Sequence, residues 1–498
     1  MVLIPEPRSI KTDRMRTFDF SKIRLGTSPL NETAQNDFLQ FAGRPQADAP
    51  NILFQTDRAL APEAYRLNIC EKITVVSRDE AGAFYALQTL KQILFQYGDQ
   101  LPYCEIEDAP AFAYRGMMLD VGRYFYTVED VKAVLDRMAL HKLNLLHLHL
   151  TEDQGWRIQI DRYPMLTAIG ARRSYTNFNR TPHKGYYTKA QIREIVDYAH
   201  AKQIKVMPEF DMPGHCRAAI AAYPALSCFD RELPVATHWG VKHDVLCAGK
   251  EETYRFIFDV LDEMLEMFAD GYFHIGGDEV PKHRWRLCPH CQQKMRENGL
   301  KDEDELQEYF MNRVYKYLTE HGAKHVFMWN YDKLQPRILD KNIAFSLCGG
   351  EEKARDFTDT SAAAYYFDLP YGRIPLPAVC DHQIPAQAMG AEGQLWSEYL
   401  PNLQKCDIMA FPRTGALAES AWSGGCSWAG FQKKLQFYYT FLEANGISYT
   451  FGSRLDPKGL RKALDILWFE KRQLTWEGLH NLIDDRYVER LAKKRKAK

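Results

Sequence analysis

The sequence predicts an α/β protein whose main domain is a (β/α)8 TIM barrel, preceded by a small α+β domain and followed by a short helical segment. Apolar strand-like segments alternate with helix-like segments eight times between about residues 110 and 445. No Gly-x-Gly-x-x-Gly turn follows a strand, which disfavours a doubly wound sheet, the alternative fold. We therefore place the small domain at residues 1–110, the barrel at 111–450 and the helical segment at 451–498.

The composition is that of an ordinary globular protein, with 46% hydrophobic and 26% charged residues, and it excludes a disordered or fibrous chain. Lys and Arg total 64 against 65 Asp and Glu. No net field therefore attracts nucleic acid or an anionic membrane, and neither partner is expected. No apolar stretch approaches the roughly 18 residues of a membrane-spanning helix. The first residues show no secretory leader, and eleven scattered cysteines suggest free thiols, so we expect a cytoplasmic location.

The first 110 residues carry the pattern of a small α+β unit. Tyr65–Ile69 and residues 73–76 alternate like strands, and residues 79–94 follow with one broad apolar helical face. Pro102 and Pro110 enclose an acidic stretch that we interpret as the exit from this unit.

Eight strands and the helices between them account for the barrel. The predicted strands are Tyr114–Asp120, Asn144–Leu150, Ile204–Phe210, Gly271–Ile275, His325–Trp329, Ile343–Leu347, Ala363–Phe367 and Gly390–Trp396. The long amphipathic helices are Glu251–Phe268, Glu303–His321 and Trp428–Asn445. Thr127 and Thr188 are placed to cap two further helices. The last 44 residues look mostly helical and end in a basic tail over residues 492–498, which we expect to be solvated.

Functional side chains of a barrel lie at the carboxyl ends of its strands. In the second strand, His147, His149 and Asp153 alternate with leucines and should point inward, His147 as a structural filler and Asp153 into the site. The third strand ends at Glu209 and Asp211, followed by Pro213-Gly214-His215, which displays His215 on a loop.

The sharpest feature is the pair Asp278-Glu279 at the end of the fourth strand. Neighbouring residues of a regular strand face opposite ways, so both carboxylates reach one pocket only if the strand breaks, as Gly276-Gly277 allows. A close pair of acids favours a raised pKa for one of them, as a general acid requires. The alternative is a pair of acids that caps the next helix.

Later strands add side chains typical of a sugar pocket. Tyr366 and Asp368 share a face near the seventh strand, and Trp396 and Glu398 share one after the eighth. Trp329 closes the fifth strand. Aromatic plates beside carboxylates that accept from hydroxyl groups are the usual composition of carbohydrate sites.

With these residues in place, the sequence resembles glycoside hydrolase family 20, the β-N-acetylhexosaminidases, over about residues 1–450. The matching motifs, in family order, are Arg115-Gly-Met-Met-Leu-Asp-Val-Gly-Arg123, the segment 147–157, the segment 207–215, His274-Ile-Gly-Gly-Asp-Glu279, Trp396-Ser-Glu398 and Phe411-Pro-Arg with Glu419 and Trp422.

The resemblance implies an exo-acting, retaining hydrolase that releases a terminal β-linked N-acetylhexosamine. Family 20 uses substrate assistance, in which the 2-acetamido oxygen of the sugar attacks C1. By this resemblance Glu279 is the general acid, Asp278 orients the acetamido N–H and stabilises the oxazolinium charge, and Tyr366 donates to the acetamido oxygen. The implied binding residues are Arg115, Asp153, His215, Trp329, Asp368, Trp396 and Glu398. No cofactor is implied. Leu148 and Glu152 depart from the commoner Trp and Asp of relatives.

A metalloenzyme is one alternative. His147-x-His149 resembles the metal pair of amidohydrolases, but that pair belongs on a first strand and this one lies on the second. Cys288-Pro-His-Cys291 has zinc-ligand spacing without a second Cys-x-x-Cys. We therefore expect no metal in the site and leave the role of the two cysteines open.

Two further alternatives concern the activity. A sugar-binding protein on an inactive barrel needs a missing catalytic group, and Asp278, Glu279 and Tyr366 are all present. A specialised family member, acting on disaccharide units, sulfated GlcNAc or glycolipid, stays open because loops such as 170–187 and 216–248 decide it.

Overall fold

The structure, a computed structural model, describes residues 1–176, 181–330, 336–350, 352–473 and 477–496. Its first part is a five-stranded sheet in the order β1-β5-β3-β4-β2, with β2 parallel to β4 and the other pairs antiparallel. The elements are β1 (Ser9–Asp19), α1 (Glu32–Ala42), β2 (Ile52–Thr56), β3 (Tyr65–Ile69), β4 (Ile73–Ser77), α2 (Glu80–Tyr97) and β5 (Gln100–Asp108).

Helix α2 is buried on both sides because it lies between this sheet and the barrel. Asp79 caps its first turn, as the predicted helix start requires. Its residues 82–94 are all buried. Tyr85 packs edge-on against Trp422 and Phe95 packs against Phe441, so the small unit and the barrel share one apolar core.

Eight parallel strands close into a barrel in the order β8-β9-β10-β11-β12-β13-β6-β7. These strands are β6 (Tyr114–Asp120), β7 (Leu145–His149), β8 (Lys205–Glu209), β9 (Tyr272–His274), β10 (His325–Asn330), β11 (Ala344–Leu347), β12 (Phe357–Asp359) and β13 (Gly390–Leu395). Closure through the pairing of β13 with β6 confirms the predicted barrel. Two-residue strands in the β7 loop add small hairpins.

Helices surround the barrel. They are α3 (Val128–Leu140), α4 (Lys189–Ala201), α5 (Arg217–Ala222), α6 (Glu251–Met267), α7 (His283–Leu287), α8 (Pro289–Glu297), α9 (Glu303–Glu320), α10 (Leu376–Asp381), α11 (Leu403–Ala410), α12 (Arg413–Ser423) and α13 (Trp428–Ala444). Thr127 and Thr188 both form complete capping boxes. Gly446 follows α13 with a left-handed φ of 66°, as a helix stop requires.

The seventh strand is a correction. It is Phe357–Asp359, and the predicted segment Ala363–Phe367 is a turn that meets β13 only through the bridge between Tyr366 and Gln394. Phe357–Asp359 is short and holds one apolar residue, whereas Ala363–Phe367 is the longer and more apolar run, so local pattern favoured the wrong segment. The turn still brings Tyr366 to the carboxyl end of the barrel.

Two helices end the chain, α14 (Gly459–Gln473) and α15 (Glu477–Lys496). Asp485 of α15 binds His243 at 3.0 Å and Arg284 at 2.5 Å, which fastens this helix to the loop after β8 and to α7. Residues 497–498 of the basic tail lie outside the described residues. Within the described part of the chain, none of the helices has both the length and the apolar character needed to cross a bilayer.

Candidate active site

The floor of the site is a charged network inside the barrel. Glu209 accepts from Trp329 Nε1 at 2.7 Å and lies 3.0 Å from nitrogens of both His147 and His274, while His149 also bonds to it. The other nitrogen of His147 lies 3.0 Å from Glu392. All six groups are fully or nearly fully buried. His147 is therefore a structural filler, as predicted, with both ring nitrogens occupied by carboxylates.

Charge pairing makes this floor ionic. Although burial opposes the imidazolium, the carboxylate of Glu392 raises the pKa of His147 to about 9. Burial likewise opposes the charge on Glu209, but the surrounding histidines hold the pKa of its carboxyl well below the ordinary value. A buried charge is stable only with such partners.

The strand break that carries the two acids is built on glycine. Gly276 and Gly277 have φ angles of 64° and 99°, in the left-handed region that side chains disfavour. A Cβ at Gly276 would lie 1.7 Å from Oδ1 of Asp211, so no larger residue fits. Gly277 N–H donates to the same oxygen at 3.3 Å. The chain turns here and presents Asp278 and Glu279 together.

Both acids face one histidine. Nε2 of His215 lies 3.9 Å from Asp278 and 3.5 Å from Glu279. Its Nδ1 lies 3.0 Å from Glu152 and 3.6 Å from Asp153. His215 and Glu279 have φ angles of 52° and 47°. Residues held in this sparsely populated region concentrate at functional sites.

The two acids differ in protonation. Burial raises the pKa of Asp278 to about 7, and its Oδ1 has no hydrogen-bond partner among the described residues. A hydrogen bond from His215 lowers the pKa of Glu279, whose side chain is 36% exposed. Burial opposes a positive charge on His215. The charge of Glu152, together with the hydrogen bonds that His215 makes to Asp153 and Glu279, nevertheless raises the pKa of His215 well above the ordinary value.

Tyr366 and Asp368 form the opposite wall. Tyr366 Oη lies 3.2 Å from Cys348 Sγ, and the charge of Asp278 acts on it. Burial raises the pKa of both Tyr366 and Asp368, so the phenol stays protonated and can donate. Oδ1 of Asp368 is buried without a partner among the described residues, which leaves an acceptor for a ligand.

Arg123 organises the third side of the pocket. Its guanidinium lies 2.9 Å from Asp120, 2.6 Å from Glu152 and 3.3 Å from Glu398. The same group lies 4.9 Å from the ring centre of Trp396. Trp396 packs 5.4 Å from Trp329. The guanidinium suits the polar edge of a sugar ring, and the two indole rings suit its apolar face.

The structure brings nine of the ten predicted site residues to this end of the barrel. They are Asp153, His215, Asp278, Glu279, Trp329, Tyr366, Asp368, Trp396 and Glu398. Asp153 lies behind His215, 1% exposed, and accepts from the backbone of Arg217 at 2.9 Å, so it positions the histidine.

Arg115 is a correction. It lies at the start of β6, at the opposite end of the barrel, and is fully buried. Its side chain donates to Glu63 and to the carbonyl of Lys142, each at 2.8 Å, and to the hydroxyl of Tyr85 at 3.2 Å. These contacts join the small unit to the barrel and contradict the expected role in binding sugar.

Sequence reasoning missed Arg123 and underrated Glu152. Arg123 belongs to the same motif as Arg115, eight positions further along, just after the carboxyl end of β6. The rule that barrel sites lie at that end could have selected it. Glu152 lies three residues after the end of β7 and binds both Arg123 and His215.

Several groups in the pocket come close enough to hold a cation. Examples are Glu152 with Asp153 and His215, and Asp211 with His215 and Asp278. These carboxylates already face His215 or Arg123 as cationic partners. A separate set of four cysteines lies outside the pocket.

Fold and site together define a glycosidase on a (β/α)8 barrel, with an acid pair, a supporting histidine and an aromatic wall. The chain belongs to glycosyl hydrolase family 20: its catalytic-domain model matches residues 112–373 and 351–425, and its domain 2 model matches residues 1–109.

Relatives that carry a name support this family assignment. The chain is 38% identical over 483 residues to a beta-hexosaminidase of Porphyromonas gingivalis, covering 88% of this chain and 61% of that protein. It is 31% identical to a beta-hexosaminidase of Akkermansia muciniphila, covering 83% of this chain and 92% of that one. The crystal structure of a GH20 exo beta-N-acetylglucosaminidase of Vibrio harveyi with N-acetylglucosamine superposes with a TM-score of 0.80 at 28% identity, over 90% of this chain and 78% of that one.

Proposed function

We propose that this protein is a β-N-acetylhexosaminidase that releases terminal, non-reducing β-linked N-acetylhexosamine by substrate assistance through an oxazolinium intermediate, with retention of configuration. The observation that carries the proposal is that Asp278 and Glu279, adjacent in the chain, both face Nε2 of His215 within 4 Å. A protein nucleophile and an acid normally flank the glycosidic bond. Two carboxylates presented from one strand end suit an acid and an acetamide partner instead.

Asp278 and Tyr366 match the two ends of an acetamide. The unpartnered Oδ1 of Asp278 accepts from the acetamido N–H, and the neutral phenol of Tyr366 donates to the acetamido oxygen. As positive charge develops on the ring nitrogen, the ionised form of Asp278 is stabilised, because an opposite charge lowers the pKa of a carboxyl that burial holds near 7.

Glu279 protonates the leaving oxygen and then serves as base for water. Its side chain is the more exposed of the two, so a bound sugar and its leaving group remove its contact with water. Desolvation raises the pKa of a carboxyl, which favours the protonated form in the complex. His215, fixed by Glu152 and Asp153, holds Glu279 in position.

Arg123, Asp368 and Glu398 bind the ring hydroxyls, and Trp329 and Trp396 form the wall for the acetamido methyl and the ring face. Support comes from the vacant acceptor of Asp368 and from the cation of Arg123 beside Glu398. The named relatives and the GlcNAc complex of the Vibrio harveyi protein favour N-acetylglucosamine as the sugar.

The test compares two aryl glycosides with one purified sample. Aryl β-N-acetylglucosaminide should be cleaved, and the matching β-glucoside should not, because it lacks the acetamide. A cyclic thiazoline that mimics the oxazoline should inhibit. Cleavage of both sugars, unaffected by the thiazoline, would instead indicate a protein nucleophile and would overturn the roles of Asp278 and Tyr366.

Variants separate the two acids. Glu279→Gln should lower kcat by at least about 100-fold for a phenyl leaving group, the usual scale for a general acid. The first step with a dinitrophenyl leaving group should suffer far less, because that group leaves without a proton. Asp278→Asn should lower both equally. Glu129→Gln, an exposed glutamate on α3, is the matched control and should retain wild-type rates.

A further inference from the structure

Four cysteines meet in one buried cluster beside the active-site loops. Cys228 and Cys247 lie in the loop after β8, and Cys288 and Cys291 lie at the start of α8, after β9. Each is at most 2% exposed. Their sulfur atoms all lie within 4.8 Å of one another, although the cysteines come from three separate parts of the sequence.

The spacing of the sulfur atoms is that of a tetrahedron around one metal ion. The Sγ–Sγ separations are 3.7 Å from Cys247 to Cys288, 3.7 Å from Cys247 to Cys291 and 3.9 Å from Cys228 to Cys291. A zinc–sulfur bond of about 2.3 Å gives a tetrahedral edge of about 3.8 Å. Two disulfides would instead pair the sulfurs, at about 2.05 Å within each pair.

The backbone is arranged to hold the four sulfur atoms together. An antiparallel bridge between Ser227 and Leu246 sets Cys228 beside Cys247. Gly249 packs so tightly that a Cβ there would lie 2.2 Å from the backbone of His290, which lets the loop reach α8. Position 249 must therefore be glycine for the loop to approach α8, a requirement that is separate from the four cysteines.

Helix α8 adds electrostatic support. Cys288 is its N-cap and Cys291 lies in its first turn. Backbone N–H groups at a helix start favour negative charge, including that of thiolates. The buried Trp285 donates from Nε1 to the carbonyl of Leu246 at 3.0 Å. This hydrogen bond joins α7, just before Cys288, to the segment that carries Cys247.

We propose that Cys228, Cys247, Cys288 and Cys291 bind one zinc ion in a closed, tetrahedral structural site. The site joins the segment after β8, which carries His215, to the segment after β9, which carries Asp278 and Glu279, and so fixes one wall of the pocket. Four protein ligands leave no open position, as in structural rather than catalytic zinc sites. This inference does not depend on the proposed hydrolase activity.

The first measurement is the metal content of the full chain, purified without chelators after growth with added zinc and with any affinity tag removed. Elemental analysis should find one zinc per chain. Alkylation of the denatured, unreduced protein in chelator should modify all eleven cysteines, because a zinc site leaves thiols and a disulfide does not. Cobalt in place of zinc should give an intense thiolate charge-transfer band and the visible bands of a tetrahedral ion.

Variants then locate the ion. Cys228→Ser and Cys291→Ser should each lose the zinc and lower the melting temperature, whereas Cys70→Ser should retain both, since Cys70 lies between β3 and β4. The wild-type metal and cobalt measurements decide the matter even if the cluster variants do not fold.

Contrary results are equally specific. A folded wild-type protein with less than about a tenth of an equivalent of zinc would overturn the proposal. So would iron in place of zinc, a disulfide within the cluster, or zinc retained by both folded cluster variants.

Discussion

Arg123, rather than Arg115, should carry the substrate-binding role of the shared motif, and matched lysine variants test this. Arg123→Lys keeps the charge but replaces a planar fork with one ammonium group. That ammonium cannot reach Asp120, Glu152 and Glu398 together, although the guanidinium lies within 3.3 Å of all three.

The expected loss follows from these contacts. A hydrogen bond between charged partners contributes about 1.5–3 kcal/mol. Arg123→Lys should lose one or two of these hydrogen bonds and with them the position of the cation that binds the sugar. This loss corresponds to roughly 2–4 kcal/mol, or about a 30- to 1,000-fold fall in kcat/KM. Arg115→Lys loses bonds to the carbonyls of Phe112 and Lys142. We expect it to lower the free energy of unfolding by about 2–4 kcal/mol, with kcat/KM changed less than about 3-fold.

The assay measures kcat and KM on aryl β-N-acetylglucosaminide well below the melting temperatures of both variants, with urea unfolding alongside. If folded Arg115→Lys lowers kcat/KM as much as Arg123→Lys does, Arg115 contributes to the pocket and its placement at the opposite end of the barrel is wrong. If Arg123→Lys leaves kcat/KM unchanged, the pocket does not use this cation.

Three further predictions concern charge and backbone. His215→Asn should raise the pKa of Glu279, because a hydrogen bond from His215 lowers it; the basic limb of the kcat/KM profile should then move to higher pH while kcat falls by at least about 10-fold. His147, with a pKa raised to about 9 from 6.5, contributes stability that is fully present below pH 6.5 and is lost as pH rises through 9. From this group alone we expect the free energy of unfolding to fall by about 3 kcal/mol over that range, as measured by urea unfolding. Gly276→Ala should lower the unfolding free energy by at least about 2 kcal/mol, since it adds a clash to a left-handed φ.

Each of these has a clear contrary result. An unmoved or acid-shifted basic limb in His215→Asn would remove the histidine from control of Glu279. Stability that is flat between pH 6.5 and 9 would contradict a charged His147. Gly299→Ala is the control for backbone strain, because Gly299 has the same φ of 64° with no atom within 4 Å of an added Cβ. Equal losses in the two glycine variants would exclude the proposed clash.

Local pattern was enough to predict most of the fold. Seven of the eight barrel strands lie where apolar runs predicted them, and the long helices begin at the predicted residues. The capping boxes at Thr127 and Thr188 depend on four consecutive residues, which a sequence displays directly. The strand break at Gly276-Gly277 could likewise be predicted from the sequence, because only glycine occupies such φ angles freely.

Errors arose where local pattern favoured the wrong segment or did not distinguish two residues of one motif. Ala363–Phe367 is the more apolar run, yet pairing with β11 and β13 selects the short segment Phe357–Asp359 as the strand. Arg115 and Arg123 stand in one motif, yet seven residues of strand at about 3.3 Å each separate the two ends of β6. The direction of the strand therefore places one arginine under the barrel and the other in the pocket.

By itself the sequence determined the barrel, the small unit before it and the acid pair, since each of these depends on residue types at short spacing. Only the tertiary structure decided which groups meet: Arg123 with Glu398, His215 with Glu152, and Cys228 with Cys291. These partners lie 63 to 275 residues apart in the chain. Their meeting depends on closure of the barrel and the packing of its loops, which periodicity along one strand or helix does not encode.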